Sequence, residues 1–185
     1  MISFKKAAMF GLDARIALAI FGALSVISGA ALYSAIQDSK ITQMVTQLQE
    51  VSKAYESYYL DVGSHLSVYN PTSLSAEYLI DKPTGVNNWN GPYINADYTA
   101  ATIRNLSDNF GHAFIKIGDI DKSWTASSGC TSICYVWVEI NGTGNPLPID
   151  VVEKLDLKVD GDSDLTTGRL RGYSQHAYFA IMPYE

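Results

Sequence analysis

The most constraining feature of this sequence is a run of 21 residues without a charged side chain, residues 16–36, which read IALAIFGALSVISGAALYSAI. An α-helix needs about 20 mainly apolar residues to cross the hydrocarbon core of a bilayer. A cleavable secretory signal has a shorter apolar region of about 7–15 residues, followed by a small-residue cleavage site. Because this run is longer and continues into a helical pattern, we expect a retained membrane anchor.

Charged residues on either side of the run predict its orientation. Lys5, Lys6 and Arg15 precede it, and the acidic surplus of the chain follows it. Cytoplasmic flanks of membrane helices carry an excess of Lys and Arg. We therefore expect a single pass with the N-terminus in the cytoplasm and the residues beyond about 37 on the outer side.

Residues 38–60 continue with the period of an amphipathic helix. Apolar and aromatic residues recur there at steps of three and four, which is the spacing of one helix face: Ile41, Met44, Val45, Leu48, Val51, Tyr55, Tyr58 and Tyr59. No Gly or Pro interrupts residues 30–62, so the sequence predicts one helix over 14–61. The alternative is a membrane anchor followed by an independent helix.

The remainder of the chain predicts a small sheet. Residues 113–118, 134–140 and 176–182 are rich in β-branched and aromatic residues between turn signals. Short helices are predicted at 73–80 and 148–158. The fold class is α+β, with a long N-terminal helix packed on a small antiparallel sheet. The sequence predicts five segments. They are a leader at 1–11, the transmembrane half of the helix at 12–37, its amphipathic half at 38–61, an irregular connection at 62–111, and a sheet region with an acidic loop at 112–185.

Charge and motif content limit the classes of function. The chain has 13 Lys+Arg against 19 Asp+Glu, a formal net charge of -6, so it has no basic surplus with which to neutralise nucleic-acid phosphates. We find no nucleophile elbow, no zinc-protease motif, no P-loop and no dinucleotide fingerprint. We therefore expect neither a nucleic-acid-binding protein nor an enzyme.

An acidic loop is the candidate metal site. Oxygen ligands at alternate positions suit Ca²⁺, and the loop supplies four carboxylates: Asp156, Asp160, Asp162 and Asp164. The loop is not an EF-hand, because Leu165 and Arg171 occupy the sixth and twelfth positions counted from Asp160. The alternative is an acidic turn solvated by water, partnered by Arg169 and Arg171.

Cys130 and Cys134 are the two cysteines of the chain. Outside the inner membrane of a bacterium such a pair would be oxidised, so we expect a disulfide between them. Its small ring would contribute only about 2 kcal/mol. Two free thiols are the alternative, and a metal site would need further ligands, since no histidine lies near in sequence.

Over roughly residues 5–118 the chain resembles type IV pilins and type II secretion pseudopilins. The resembling features are a short basic leader that ends in Gly11, an apolar helix that becomes amphipathic, and a small C-terminal sheet. In that family a prepilin peptidase cuts after the glycine, which implies a mature N-terminus at Leu12. The family usually has Glu five residues after the cut, and this chain has Ile16 there.

Two further blocks strengthen the resemblance. Trp89-Asn90-Gly91-Pro92-Tyr93-Ile94 is similar to the W-x-GPY-hydrophobic signature of major pseudopilins. Residues 107–114, SDNFGHAF, are similar to their D-P-W-G-x-x-Y segment. We interpret both blocks as determinants of the fold, because Gly-Pro fixes a turn and the aromatic rings can cover the helix.

The resemblance implies a structural subunit in the bacterial inner membrane, with its C-terminal domain in the periplasm until assembly. Its partners would be further copies of itself in a helical filament, other pilin-like subunits and the inner-membrane assembly machinery. Major pseudopilins also bind calcium in a C-terminal loop, and the order Asp160, Gly161, Gly168, Arg171 is similar to an acidic loop of minor pilins. The alternative function is a membrane-anchored, monomeric periplasmic binding module.

Overall fold

The structure is a computed structural model that describes residues 4–100, 102–104, 112–119, 130, 133–141, 147–173 and 176–185. For residues 4–10 and 104 the description is limited to the backbone. Helix α1 is continuous over Phe4–Val62, which confirms a single helix through the apolar and amphipathic segments. It begins ten residues before the predicted start, because the leader contains no proline to stop it. It ends at Val62, and the following Gly63 has a φ of 76°, which suits the left-handed cap of a helix.

Two compact units divide the chain, residues 1–40 and 41–185. In the first unit, every described side chain from 11 to 36 is exposed. In the second unit, residues 41–62 of α1 contribute one face to a hydrophobic core shared with the sheet, including Met44, Leu48, Val51 and Tyr55. The predicted arrangement of a helix on an antiparallel sheet is confirmed for the second unit.

The described strands form one antiparallel sheet. They are β1 Val68–Asn70, β2 Ser73–Leu74, β3 Asp97–Thr99, β4 Thr102–Arg104, β5 His112–Asp119, β6 Cys134–Asn141, β7 Leu170–Tyr173 and β8 His176–Pro183. Their order is β1-β2-β5-β6-β8-β7, and the β3–β4 hairpin joins β5 through β4. The outer helix α2, Ile149–Val159, follows Pro148 and runs to the acidic loop.

The three predicted strands are confirmed within a residue or two as β5, β6 and β8. Period-two alternation made them visible: Ala113, Ile115 and Ile117 of β5 are buried, whereas Phe114 and Lys116 are only partly buried. Residues on alternate positions of a strand face opposite sides of the sheet. The long central strands therefore carry the core face that packs with α1.

The region 62–111 is more regular than predicted. It contains strands β1 to β4, and the predicted helix at 73–80 is wrong in its first half, which forms β2, while Ala76–Leu79 form a short 3-10 helix. Strands of two or three residues are too short to show a period in sequence. The predicted helix at 148–158 is confirmed, shifted by one residue. Residues 107–111, which are most of the second resembling block at 107–114, lie outside the described residues.

Candidate functional site

The first candidate interface is the apolar part of α1. Its large side chains are exposed over a continuous stretch, with Leu18 at 70%, Phe21 at 71% and Val26 at 74% of full exposure. By length and composition the helix from Gly11 onward can cross a membrane. Within the described residues, none of this apolar surface is covered by the chain itself.

The Trp89–Ile94 block fixes the chain against the end of α1. The Trp89 indole Nε1–H donates to the carbonyl of Tyr78 at 2.8 Å. The Tyr93 hydroxyl donates to Asp61 Oδ2 of α1 at 2.9 Å and accepts from the backbone N–H of Asn90 at 3.0 Å. These bonds connect the loop to both the 3-10 helix region and the long helix.

Packing around Gly91 explains why this block needs a glycine. The Gly91–Pro92 peptide is cis, and a Cβ added at Gly91 would lie 2.5 Å from the Trp89 ring. The Tyr93 ring meets the buried Tyr58 ring of α1 edge-on, with centroids 5.8 Å apart. The block therefore has a structural role, as interpreted from the sequence: it holds the loop against the end of α1.

The acidic loop places one of its four predicted ligands inside the protein. Asp156 is completely buried on α2, and neither of its carboxylate oxygens has a hydrogen-bond partner among the described residues. Burial raises the pKa of Asp156 to about 7, and the negative charges of Asp160, Asp162 and Asp164 add to the rise. A buried carboxylate in this position needs a proton or a cation.

Asp160 shapes the loop as well as facing Asp156. Its Oδ2 accepts a hydrogen bond from the backbone N–H of Leu170 at 2.7 Å. Gly168, at φ 79°, lies so close that an added Cβ would overlap the Asp160 carboxylate. The loop therefore closes with Asp160 against residue 168, and only a glycine at position 168 leaves room for the carboxylate.

Asp162 and Asp164 lie at the exposed rim of the loop. Asp162 Oδ1 accepts from the Asp164 N–H at 2.8 Å, and Asp164 Oδ1 accepts from the N–H and the hydroxyl of Thr166 at 3.1 and 2.6 Å. No three carboxylates of this loop, all described, have ligand oxygens within 4.8 Å of one another. The structure brings Asp156 and Asp160 together, and calcium stays a prediction.

The two arginines after the loop have partners of their own. Arg169 Nε donates to the carbonyl of Ala180 at 3.2 Å, and its guanidinium lies 4.5 Å from the centre of the Phe179 ring. Arg171 Nε donates to the carbonyl of Gly168 at 3.2 Å. Both side chains hold strand β7 and the loop in place through backbone carbonyls and an aromatic face.

The structure contains the disulfide between Cys130 and Cys134, with Cα atoms 5.6 Å apart. Asp119, the last residue of β5, is opposite Cys134 in the ladder, and its Oδ1 lies 3.3 Å from Cys130 Sγ. Sequence analysis missed Asp119, because it is eleven residues before Cys130 and carries no local motif. Only the register of β5 on β6 reveals the contact.

Comparison with known families agrees with this architecture. Residues 31–117 match the family model described as type II secretion system (T2SS), protein G, a major pseudopilin. The match supports a pseudopilin, or pilin-like, family for this chain. The match runs from the apolar segment through the Trp89–Ile94 block into β5, so the acidic loop and the disulfide lie outside it. No curated protein and no solved structure matches the chain.

The match to this family bears on several predictions. The family is one of structural subunits of a secretion system and is not a family of enzymes. A pseudopilin associates with other pseudopilin subunits of that system. Together with the candidate membrane helix of α1, these findings support a membrane-anchored type II secretion pseudopilin.

Proposed function

We propose that this pseudopilin assembles into a helical filament, either a type II secretion pseudopilus or a type IV pilus-like filament, from the bacterial inner membrane. Before assembly, Lys5 and Lys6 lie in the cytoplasm and the residues beyond 37 in the periplasm. The observation that carries the proposal is the contrast within α1, where the mainly apolar residues 11–36 are all exposed while one face of residues 41–62 is buried.

The same apolar surface serves in the membrane and in the filament. In lipid it meets acyl chains, and in a filament it meets the apolar helices of neighbouring copies, so its removal from water is maintained throughout. An added Cβ at Gly22 or Gly29 would meet no described atom within 4 Å. These two positions therefore give neighbouring helices room for close backbone approach.

A charge placed in the apolar segment tests assembly. Leu24 is 58% exposed, and Leu24→Asp introduces a charge that both lipid and an apolar helix bundle oppose. The matched control is Gln49→Asp, which adds the same charge at an exposed polar position of the same helix. We expect filaments, detected by chemical crosslinking and electron microscopy of cells, to be lost with Leu24→Asp and retained with Gln49→Asp. Normal filaments with Leu24→Asp would contradict the proposal.

The position of the mature N-terminus distinguishes a filament subunit from a membrane-anchored, monomeric binding module. Cleavage between Gly11 and Leu12 would be the work of a prepilin peptidase, and N-terminal sequencing of the membrane-extracted protein would begin at Leu12. A protein that retains Met1 and remains monomeric after crosslinking would favour the monomeric periplasmic binding module.

We further propose that the acidic loop holds a Ca²⁺ ion. Support comes from the buried, unpartnered carboxylate of Asp156 and from Asp160 beside it, since hard oxygen donors are the ligands of Ca²⁺. Asp156 and Asp160 would hold the ion, and Asp162 and Asp164 would reach it from the rim. The bound ion would neutralise the carboxylates and link the end of α2 to the start of β7.

Thermal unfolding with Ca²⁺ and with EGTA tests the cation. We expect millimolar Ca²⁺ to raise the unfolding temperature of the wild-type protein and to have little effect on Asp156→Asn. The control Asp150→Asn alters an exposed carboxylate of the same helix, which pairs with Lys154 at 3.3 Å, and it should respond like the wild type. An unfolding temperature that Ca²⁺ leaves unchanged in the wild type would exclude the ion.

A further inference from the structure

The cluster of Asp119, Cys130 and Cys134 is separate from the apolar helix and from the acidic loop. The hydrogen-bonded register of β5 on β6 sets Asp119 opposite Cys134, and Cys130 lies beside both. One ligand atom from each residue, a carboxylate oxygen and two sulfurs, falls within 4.8 Å of the others. Asp119 is 7% exposed, so its carboxylate is held inside the protein next to the two sulfurs.

In the structure the two sulfurs are bonded to each other, so a site of the zinc type requires that reduction lets them move apart. Zinc in proteins is tetrahedral, with bonds of about 2.3 Å to sulfur and about 2.0–2.2 Å to carboxylate oxygen, which places ligand atoms about 3–4 Å apart. Asp119 Oδ1 and Cys130 Sγ are 3.3 Å apart. Two thiolates and one carboxylate leave a fourth position for water, as in open zinc sites.

We propose that Asp119, Cys130 and Cys134 form a redox-gated site for a thiophilic divalent cation such as Zn²⁺, which the reduced protein binds and the disulfide form does not. A dithiol reductant transfers two electrons and two protons to the disulfide, giving two thiols, and is itself oxidised to a disulfide. When Zn²⁺ binds, the two thiol protons pass to solvent and the thiolates ligate the ion.

The charges in the cluster explain why the cation matters to the reduced state. Two thiolates beside a buried carboxylate would repel one another. A dication compensates these charges and links the start of β6 to the end of β5, close to where the disulfide acts. The disulfide and the bound cation would thus be alternative crosslinks at the same place, between the end of β5 and the start of β6. The site prefers soft metals, whereas the acidic loop offers hard oxygen ligands.

Cobalt is the spectroscopic probe for the test, applied to the full chain in detergent after reduction with a phosphine. We expect thiolate-to-cobalt charge-transfer absorption that saturates at one ion per chain and is displaced by Zn²⁺. The oxidised protein should show none. We expect Cys130→Ser to abolish the absorption and Asp119→Asn to weaken cobalt binding at least tenfold, whereas Asp150→Asn, a change in a remote exposed carboxylate, should bind like the wild type.

Two outcomes would overturn the proposal: a reduced wild-type protein without the charge-transfer absorption, or an Asp119→Asn variant that binds cobalt as tightly as the wild type. If a variant folds poorly, the effect of Zn²⁺ on the unfolding temperature provides a second measurement. Binding to the folded state raises the unfolding temperature, and binding to an unfolded chain does not. Zn²⁺ should therefore raise the unfolding temperature of the reduced wild type and leave that of the double variant Cys130→Ser/Cys134→Ser unchanged.

Discussion

The two halves of helix α1 share one backbone conformation and differ in what their apolar side chains contact. From 11 to 36 all described side chains are exposed, and from 41 to 58 one face is buried, with Met44, Leu48, Val51 and Tyr55 each fully covered. The covered half has a partner within the chain, since it shares a core with the sheet.

This difference shows that secondary structure does not determine the role of an apolar side chain. Removing apolar surface from water contributes about 25 cal/mol per Å², and the second half gains this contribution when its own chain folds. The first half gains it only from lipid or from other chains. The mean hydropathy of +0.02 is therefore the average of two different regions. One is an exposed apolar helix segment, and the other is a unit with its own buried core.

Charge substitutions should separate the two halves most strongly. We expect Leu48→Asp to unfold the unit 41–185, because Leu48 is fully buried and an unpaired charge cannot be placed in an apolar core without a cost of several kcal/mol. Ile27→Asp, at a position 66% exposed, should leave the thermal unfolding of that unit unchanged and reduce the membrane-bound fraction. Circular dichroism and membrane fractionation measure the two effects. Equal loss of folding in both variants would contradict the division of α1.

Alanine substitutions give a smaller version of the same contrast. Leu48→Ala should lower the free energy of unfolding by about 2–5 kcal/mol, because it leaves a cavity in the core. Leu24→Ala should change it by less than about 0.5 kcal/mol. Urea titration in detergent checks both values. A loss above about 1 kcal/mol for Leu24→Ala would show that its side chain is packed within the chain.

Asp156 should make the stability of the second unit depend on pH. Its folded pKa of about 7 lies above the ordinary value of about 3.9, so the folded state retains a proton that the unfolded chain releases. This stabilisation is complete below about pH 4 and is lost as the pH rises through about 7, a fall on the order of 4 kcal/mol. Urea titrations in EGTA should show the fall in the wild type and a flatter profile in Asp156→Asn. Parallel profiles would argue against the assignment.

The smallest expected effect concerns the hydrogen bonds between the Trp89–Ile94 block and the end of α1. Tyr93→Phe removes a hydroxyl that donates to Asp61 and accepts from Asn90, and it should lower the free energy of unfolding by about 0.5–1.5 kcal/mol. Tyr69→Phe, at an exposed position, is the matched control and should change it by less than about 0.5 kcal/mol. If both variants lose the same stability, the hydrogen bonds of Tyr93 do not hold the helix end.

Long elements were predictable because their patterns repeat. The helix, the strands β5, β6 and β8, and helix α2 each extend over at least eight residues, enough for a period of 3.6 or 2 to appear. Strands β1 to β4 and β7 have two to four residues, and their pairing depends on neighbours distant in sequence. In β7, Gly172 has no side chain and lies between Arg171 and Tyr173, so the strand shows no clear alternation of apolar and polar residues.

The candidate sites were predictable as residue types and not as geometries. Four aspartates stand at similar spacing in sequence, yet Asp156 is buried and Asp162 and Asp164 are exposed. The reason is that Asp156 lies on the inward face of α2 beside the buried Val152 and Leu155, whereas the other two follow the end of the helix. No local pattern distinguishes a carboxylate that faces the core from one that faces water.

By itself, the sequence determined the long helix, its uncharged 21-residue segment and the cysteine pair, because composition and short-range periodicity carry this information. Tertiary structure decided which half of α1 is covered, which aspartate is buried and that Asp119 adjoins the disulfide. Each of these depends on strand register and on packing between residues distant in the chain. The apolar segment 16–36 was visible from the sequence, but only the structure shows that each of its side chains is exposed among the described residues.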